Sequence, residues 1–167
     1  MKKIGLLVAV LAFMGGLFID GNQVSASSTT IASMNPKQVA ATVLVAGAQK
    51  NKSWKGFVDG YQDQGMKLSV LVDEDSPILQ KNYSQPGTGT EYRFQLDNAD
   101  QWMVNDYTIS ADGKYVYCYQ QQFHNSAERH VSPFLVLSAS KIAALQHSSS
   151  ASQINQIANA IKIKVDN

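Results

Sequence analysis

The sequence predicts an α+β domain, with an antiparallel sheet of four to five strands packed against N-terminal and C-terminal helices. Three observations predict it. Apolar residues recur at helical spacing from Val39 to Tyr61, strand-like runs occupy residues 68 to 137, and helical spacing returns from Ile142 to Ile161. No internal repeat interrupts this order.

Residues 1–26 read as a secretory signal peptide and stand outside the domain. Lys2 and Lys3 form a positive n-region, Ile4 to Ile19 is an uncharged apolar run, and Val24-Ser25-Ala26 offers the small-x-small cleavage pattern. The run is shorter than the ~20 residues of a membrane anchor, and Gly15-Gly16 breaks it. The single cysteine, Cys118, is far from any lipid-attachment position, and no hydrophobic tail closes the sequence. The expected product is secreted, either free or loosely wall-associated as a surface protein, with no stable membrane insertion after cleavage. A disordered segment over 27–34 leads into a single domain over 35–167. Export without a disulfide framework points to a Gram-positive bacterium. Loss of the leader leaves twelve basic against twelve acidic side chains. That balance excludes an electrostatic footprint for nucleic acid.

The helices carry their own start and stop signals. Asn35 can cap, Pro36 suits the first helical position, and Gln38 can reach back as in a capping box, so a helix runs to about Ala48 with Val39, Val43 and Ala46 on one side. A second opens at Ser53, with Trp54, Phe57, Val58 and Tyr61 in one stripe and Gly65 as its stop. Leu68, Val70 and Val72 mark the first strand, and a short helical turn is expected before Tyr83. Gln85 to Gly89 is a loop. Strand-like runs follow at Glu91–Leu96, Trp102–Ser110, Lys114–Gln120 and Val131–Leu137, the last an edge strand because of Pro133. Ile142 and Leu145 mark one tail helix, and Ile154, Ile157, Ala158 and Ile161 mark another behind Ser152.

The hairpin around Ala111-Asp112-Gly113 controls which side of the sheet is buried. A three-residue loop with Gly113 at positive φ sets Ser110 against Lys114, Ile109 against Tyr115 and Tyr107 against Tyr117. Tyr107, Ile109, Tyr115, Tyr117 and Tyr119 then share one face. A two-residue turn instead pairs Ile109 with Val116 and Tyr107 with Cys118, which exchanges the faces of Tyr115, Tyr117 and Tyr119. The three-residue loop is preferred because it groups Ile109 with the aromatic rings.

Catalytic and metal chemistries find little support. Cys118 lies mid-strand rather than at a helix N-terminus, so it reads as a small core residue, although His124 and His130 are near in sequence. His124, Glu128 and His130 match no common zinc spacing. Asp73-Glu74-Asp75 lacks the glycine and closing glutamate of a calcium loop. Gly87-Thr88-Gly89-Thr90 leads into no lysine-bearing helix, so it is not a phosphate cradle. No nucleophile-elbow or zinc-protease motif occurs. Paired carboxylates converge only in three dimensions, and Glu91, Asp97, Asp100 and Asp106 are the places to look. No cofactor is expected.

What remains is a recognition surface. Tyr92, Trp102, Tyr107, Tyr115, Tyr117 and Tyr119 concentrate in one third of the domain, and such rings combine contact area with a polar tip. Most are expected in the core. Trp102, Tyr119 and Tyr92 are the expected ligand or partner surface, with Trp102 and Tyr119 the more exposed because they lie farthest from the turn. The expected function is a non-enzymatic secreted or cell-envelope binding module for a cell-wall polymer or another surface protein. The alternatives are a small secreted hydrolase acting on cell-wall or host polymers, or a secreted protein inhibitor.

Several segments together resemble a group of small secreted proteins of unknown function from lactobacilli. They are Met34-Asn35-Pro36-Lys37-Gln38-Val39-Ala40-Ala41, Trp54, the run from Tyr107 to Tyr117, and the Ser/Ile-rich final helix. The resemblance implies bacterial secretion and an α+β domain, and it implies no catalytic residues.

Overall fold

A computed structural model describes residues 29–74, 76, 83–97, 103–122 and 131–166. The leader, the turn expected before Tyr83, Trp102, Asp100, and the segment holding His124, Glu128 and His130 lie outside the described residues. The fold is α+β. Strands β1 (Leu68–Asp73), β2 (Glu91–Leu96), β3 (Met103–Ile109), β4 (Tyr115–Gln122), β5 (Leu135–Ser138) and β6 (Lys162–Val165) form one sheet in the order β5-β4-β3-β2-β1-β6. Helices α1 (Pro36–Ala48), α2 (Lys52–Gln64), α3 (Ala139–Gln146) and α4 (Ala151–Ala160) complete the described regular structure, together with a 3-10 turn at Ile31–Ser33. None of these helices is long and apolar enough to cross a membrane.

The sheet corrects the expected architecture: it is mixed and six-stranded. Neighbours pair antiparallel except β1 and β6, which are parallel with Val70 opposite Ile163. Lys162-Ile163-Lys164-Val165 was hidden because four residues are too few to establish alternation, and Ile161 continues the helical spacing before it. Ile161 leaves α4 in an extended conformation (ψ 136°) and directs the chain to the free edge of β1, where the Asp166 amide donates to the Val72 carbonyl at 2.8 Å. β5 is an edge strand as expected, and it starts after Pro133. Residues 31–34, expected to be disordered, are instead tied down. Ile31 is buried, and its amide donates to the Gly113 carbonyl at 2.8 Å.

Asn35 caps α1 by accepting from the Lys37 and Gln38 amides. The Gln38 side chain makes no capping box and reaches Asn155 on α4 instead. Nine consecutive residues, Val39 through Gly47, are buried, so α1 is a central helix wrapped by α2, α3, α4 and the sheet rather than a one-sided one. Its small residues permit that approach. A Cβ on Gly47 would lie 2.2 Å from the Trp54 ring, so glycine there makes room for the largest buried side chain. Asn51 starts α2 one residue earlier than expected, accepting from the Ser53 and Trp54 amides, and Gly65 ends it at φ 65°. Trp54 donates from Nε1 to the Tyr119 carbonyl at 3.0 Å and meets Phe94 edge-on at 5.3 Å. Leu68, Val70, Phe94, Tyr107, Val116 and Cys118 line the helix-facing side of the sheet in the same core.

Candidate functional site

The β3–β4 hairpin adopts the register that the ring-grouping argument disfavours. Ile109 pairs with Val116, Thr108 with Tyr117 and Tyr107 with Cys118. Ser110 and Tyr115 close a four-residue loop, in which Gly113 keeps its positive φ of 68° and donates to the Ser110 carbonyl. The Ser110 hydroxyl supports this loop. It donates to Asp112 Oδ1 at 2.6 Å and accepts from the Lys114 and Tyr115 amides. That hydroxyl bond, with the Lys114 amide, holds the Asp112 carboxyl below its usual range. Ile109, Val116 and Cys118 therefore enter the core with Tyr107, while Tyr115, Tyr117 and Tyr119 turn to the opposite, outer face.

A strap from Tyr83 to Thr88 crosses that outer face. Its Ser84 amide donates to the Val131 carbonyl, and its Thr88 amide donates to the Ile109 carbonyl, both at 3.0 Å. Gly87 is required at the second contact, because φ is 63° and a Cβ would fall 2.0 Å from the Ile109 oxygen. The Gln85 carbonyl accepts from the Thr108 and Tyr119 hydroxyls, each at 2.9 Å. The Tyr83 ring lies flat on Tyr119, with centroids 4.2 Å apart.

The strap reverses the expected exposure of the tyrosines. Tyr119 is fully buried, Tyr117 is half-buried, and Tyr115, next to the turn, is 42% exposed. Distance from the turn increases cover because the strap lies over the far end of β4. Tyr119 is therefore not part of an open surface, and Trp102 lies outside the described residues. Tyr92, the third expected contact, is half-buried and stacks on Tyr107 at 4.7 Å. It lines an apolar groove of about 190 Å³ with Ile31, Met34, Val39, Ile109 and Ile163. A more open groove of about 460 Å³ lies on the other side of the hairpin. Tyr115 and Tyr117 form its aromatic side, Gln85 to Gly87 of the strap one wall, and Ser110 and Asp112 the polar rim.

Beneath the strap the outer face carries a buried polar cluster. Glu91 is 1% exposed and Asp106 is fully buried. Asp106 sits opposite Arg93 on β2, and Glu91 is the same-face neighbour two residues earlier. Arg93 binds Glu91 Oε1 through Nε at 3.0 Å and Nη2 at 2.6 Å, while the Ser76 hydroxyl donates to Oε2 at 2.8 Å. The Tyr83 hydroxyl donates to Asp106 Oδ2. Burial raises Asp106 well above the ordinary carboxyl range, and the adjacent Glu91 carboxyl raises it further. Burial also raises Tyr83, with the charge of Asp106 adding to it, so Tyr83 remains a donor. Burial alone lowers Arg93, but Glu91 more than offsets this and the guanidinium stays charged.

Two of the four carboxylates singled out from the sequence are thus brought together, but within the protein rather than in an open cleft. Asp97 is exposed at the end of β2. Cys118 is a buried free thiol, raised above its usual range by burial. Asp73 ends β1 and Glu74 is an exposed turn residue. Among the described residues no three His, Cys, Asp or Glu side chains are arranged to hold a metal ion. Sequence reasoning missed Ser76 and Tyr83, since a lone serine or tyrosine beside a turn carries no periodic signal. Protein-family models, curated proteins and solved structures were each compared with this chain, and none matches.

Proposed function

We propose that the protein is a non-enzymatic binding module of the bacterial cell surface or its surroundings, and that it holds an envelope polymer in the Tyr115–Tyr117 groove. The observation that carries this reading is the placement of Tyr115 and Tyr117 side by side on the outer face, next to an ionised Asp112 and the strap wall. Open tyrosines offer flat apolar area to the faces of sugar rings or to peptide side chains. Asp112, Ser110 and Gln85 offer polar groups at the rim. The leader-like residues 1–26 and the absence of a net charge on the remaining chain support export and contact with uncharged polymer. Tyr92 and its apolar groove offer a second contact on the far side of the same hairpin.

The hydrolase alternative gains no support from Glu91 and Asp106, because a polymer cannot reach carboxyls that are buried under the strap. A protein inhibitor would use the same tyrosine face. The test is retention of the purified protein on insoluble cell-wall material. The double variant Tyr115→Ala/Tyr117→Ala is expected to remain folded in the absence of urea and to lose ~30-fold in retention, the worth of two stacked rings at roughly 1 kcal/mol each. Retention equal to wild type would refute the groove.

A further inference from the structure

Among the described residues, the buried cluster under the strap contains more acceptors than donors. Arg93 serves Glu91 Oε1, Ser76 serves Oε2, and Tyr83 serves Asp106 Oδ2. Asp106 Oδ1 is buried without a donor among the described residues. Besides Tyr83, the group next to Asp106 on this face is the Glu91 carboxyl, which in ionised form can only accept. A buried carboxylate oxygen left unpaired is costly. Two carboxylates against the one guanidinium that the described residues supply would also leave an uncompensated charge in a site with little access to water.

One added proton resolves both problems, supplying the missing O–H···O bond and bringing the charge of Glu91, Asp106 and Arg93 to zero. We infer that Glu91 and Asp106 form a proton-binding site that fastens the strap to the sheet, taking up one proton as the protein folds and keeping it at neutral pH. The proton belongs to the pair rather than to either residue. Among the described residues, the titratable or charged groups that face it are Tyr83 from the strap, Glu91 and Arg93 from β2, and Tyr119 from β4, while Cys118 of β4 lies on the other side of the sheet and feels the Asp106 charge through it. Tyr83 and Arg93 favour the ionised form, but burial and the second carboxyl oppose them more strongly. The strap closes one wall of the Tyr115–Tyr117 groove, so the proton also maintains the shape of that wall whatever the groove binds.

The sign of the linkage follows. Below about pH 4, the ordinary carboxyl range, folded and unfolded chains both hold the proton and it contributes no slope. Above that range only the folded chain retains it. The folding equilibrium constant should therefore fall by about tenfold per pH unit until the pair ionises in the folded state. Asp106→Asn replaces the protonated carboxyl with an amide, whose N–H₂ can donate to Glu91 while its oxygen accepts from Tyr83.

The experiment compares urea unfolding of full-length wild type and Asp106→Asn at pH 6, 7 and 8. The expected result is a stability difference that shifts towards the variant by about tenfold in equilibrium constant per pH unit. Parallel profiles would overturn the inference. Carbon-13 NMR of the Asp106 carboxyl in folded wild type gives a second reading that needs no variant. A proton-bearing or proton-sharing carboxyl at pH 7 is expected, and an ordinary ionised carboxylate with a free-acid titration would refute the site.

Discussion

The two faces of the sheet are built by alternate residues of the same strands, yet they are held by different physics. On the helix side, Val70, Phe94, Tyr107 and Val116 meet α1 and α2, and Trp54 fills the space opened by Gly47. That face depends on volume, because every displaced methylene leaves a cavity. On the strap side, Glu91, Asp106, Tyr83, Ser76 and Tyr119 are equally buried, but they depend on a complete set of hydrogen bonds. Burial is therefore no guide to how each face fails: one fails when a side chain is too small, the other when a donor or proton is missing.

Substitutions separate the two cases. Trp54→Ala is expected to cost ~3–5 kcal/mol in urea unfolding. The loss should be the same at pH 6 and pH 8, since the Trp54 ring bonds to a backbone carbonyl and meets the rings of Phe94 and Phe134. A loss that changes with pH would show that the faces are coupled. Tyr83→Phe changes almost no volume but removes the donor to Asp106 Oδ2, and should cost ~1–3 kcal/mol. Here the loss should grow as pH rises. The Tyr83 bond favours the ionised pair, so its removal hurts most where that ionised form is populated. A smaller loss at high pH would contradict the cluster as described. Ser110→Ala tests the hairpin joining the two faces, and ~0.5–2 kcal/mol is expected because two amides lose their hydroxyl acceptor. The Asp112 titration midpoint, followed by NMR, should move up towards the ordinary carboxyl value, since the Ser110 bond is the main influence holding it down. An unmoved midpoint would place that influence elsewhere.

Much of the fold was legible in the sequence where the signal is local. Asn35-Pro36 starts α1, Gly65 stops α2, and the Trp54 stripe faces the core. Five strand runs could be located from composition and alternation. The site was less legible. The paired Glu91 and Asp106 were among the carboxylates worth inspecting, but their cover by Tyr83 depends on a strap whose sequence reads only as a loop. The aromatic surface was expected at Trp102, Tyr119 and Tyr92. Tyr119 is buried, and Tyr115 is the exposed tyrosine among the described residues.

By itself, the sequence determined the α+β class, the start of α1, the stop of α2, the places of five strands and the positive φ of Gly113, because each follows from caps, periodicity or backbone sterics within a few residues. Tertiary structure alone decided the register of β3 against β4, the parallel addition of β6 and which tyrosines meet solvent. The reason is that alternation repeats every two residues, so a one-residue shift satisfies the local pattern equally well. Only contacts between distant segments, Ser110 closing its loop and the strap lying across β4, separate the two outcomes.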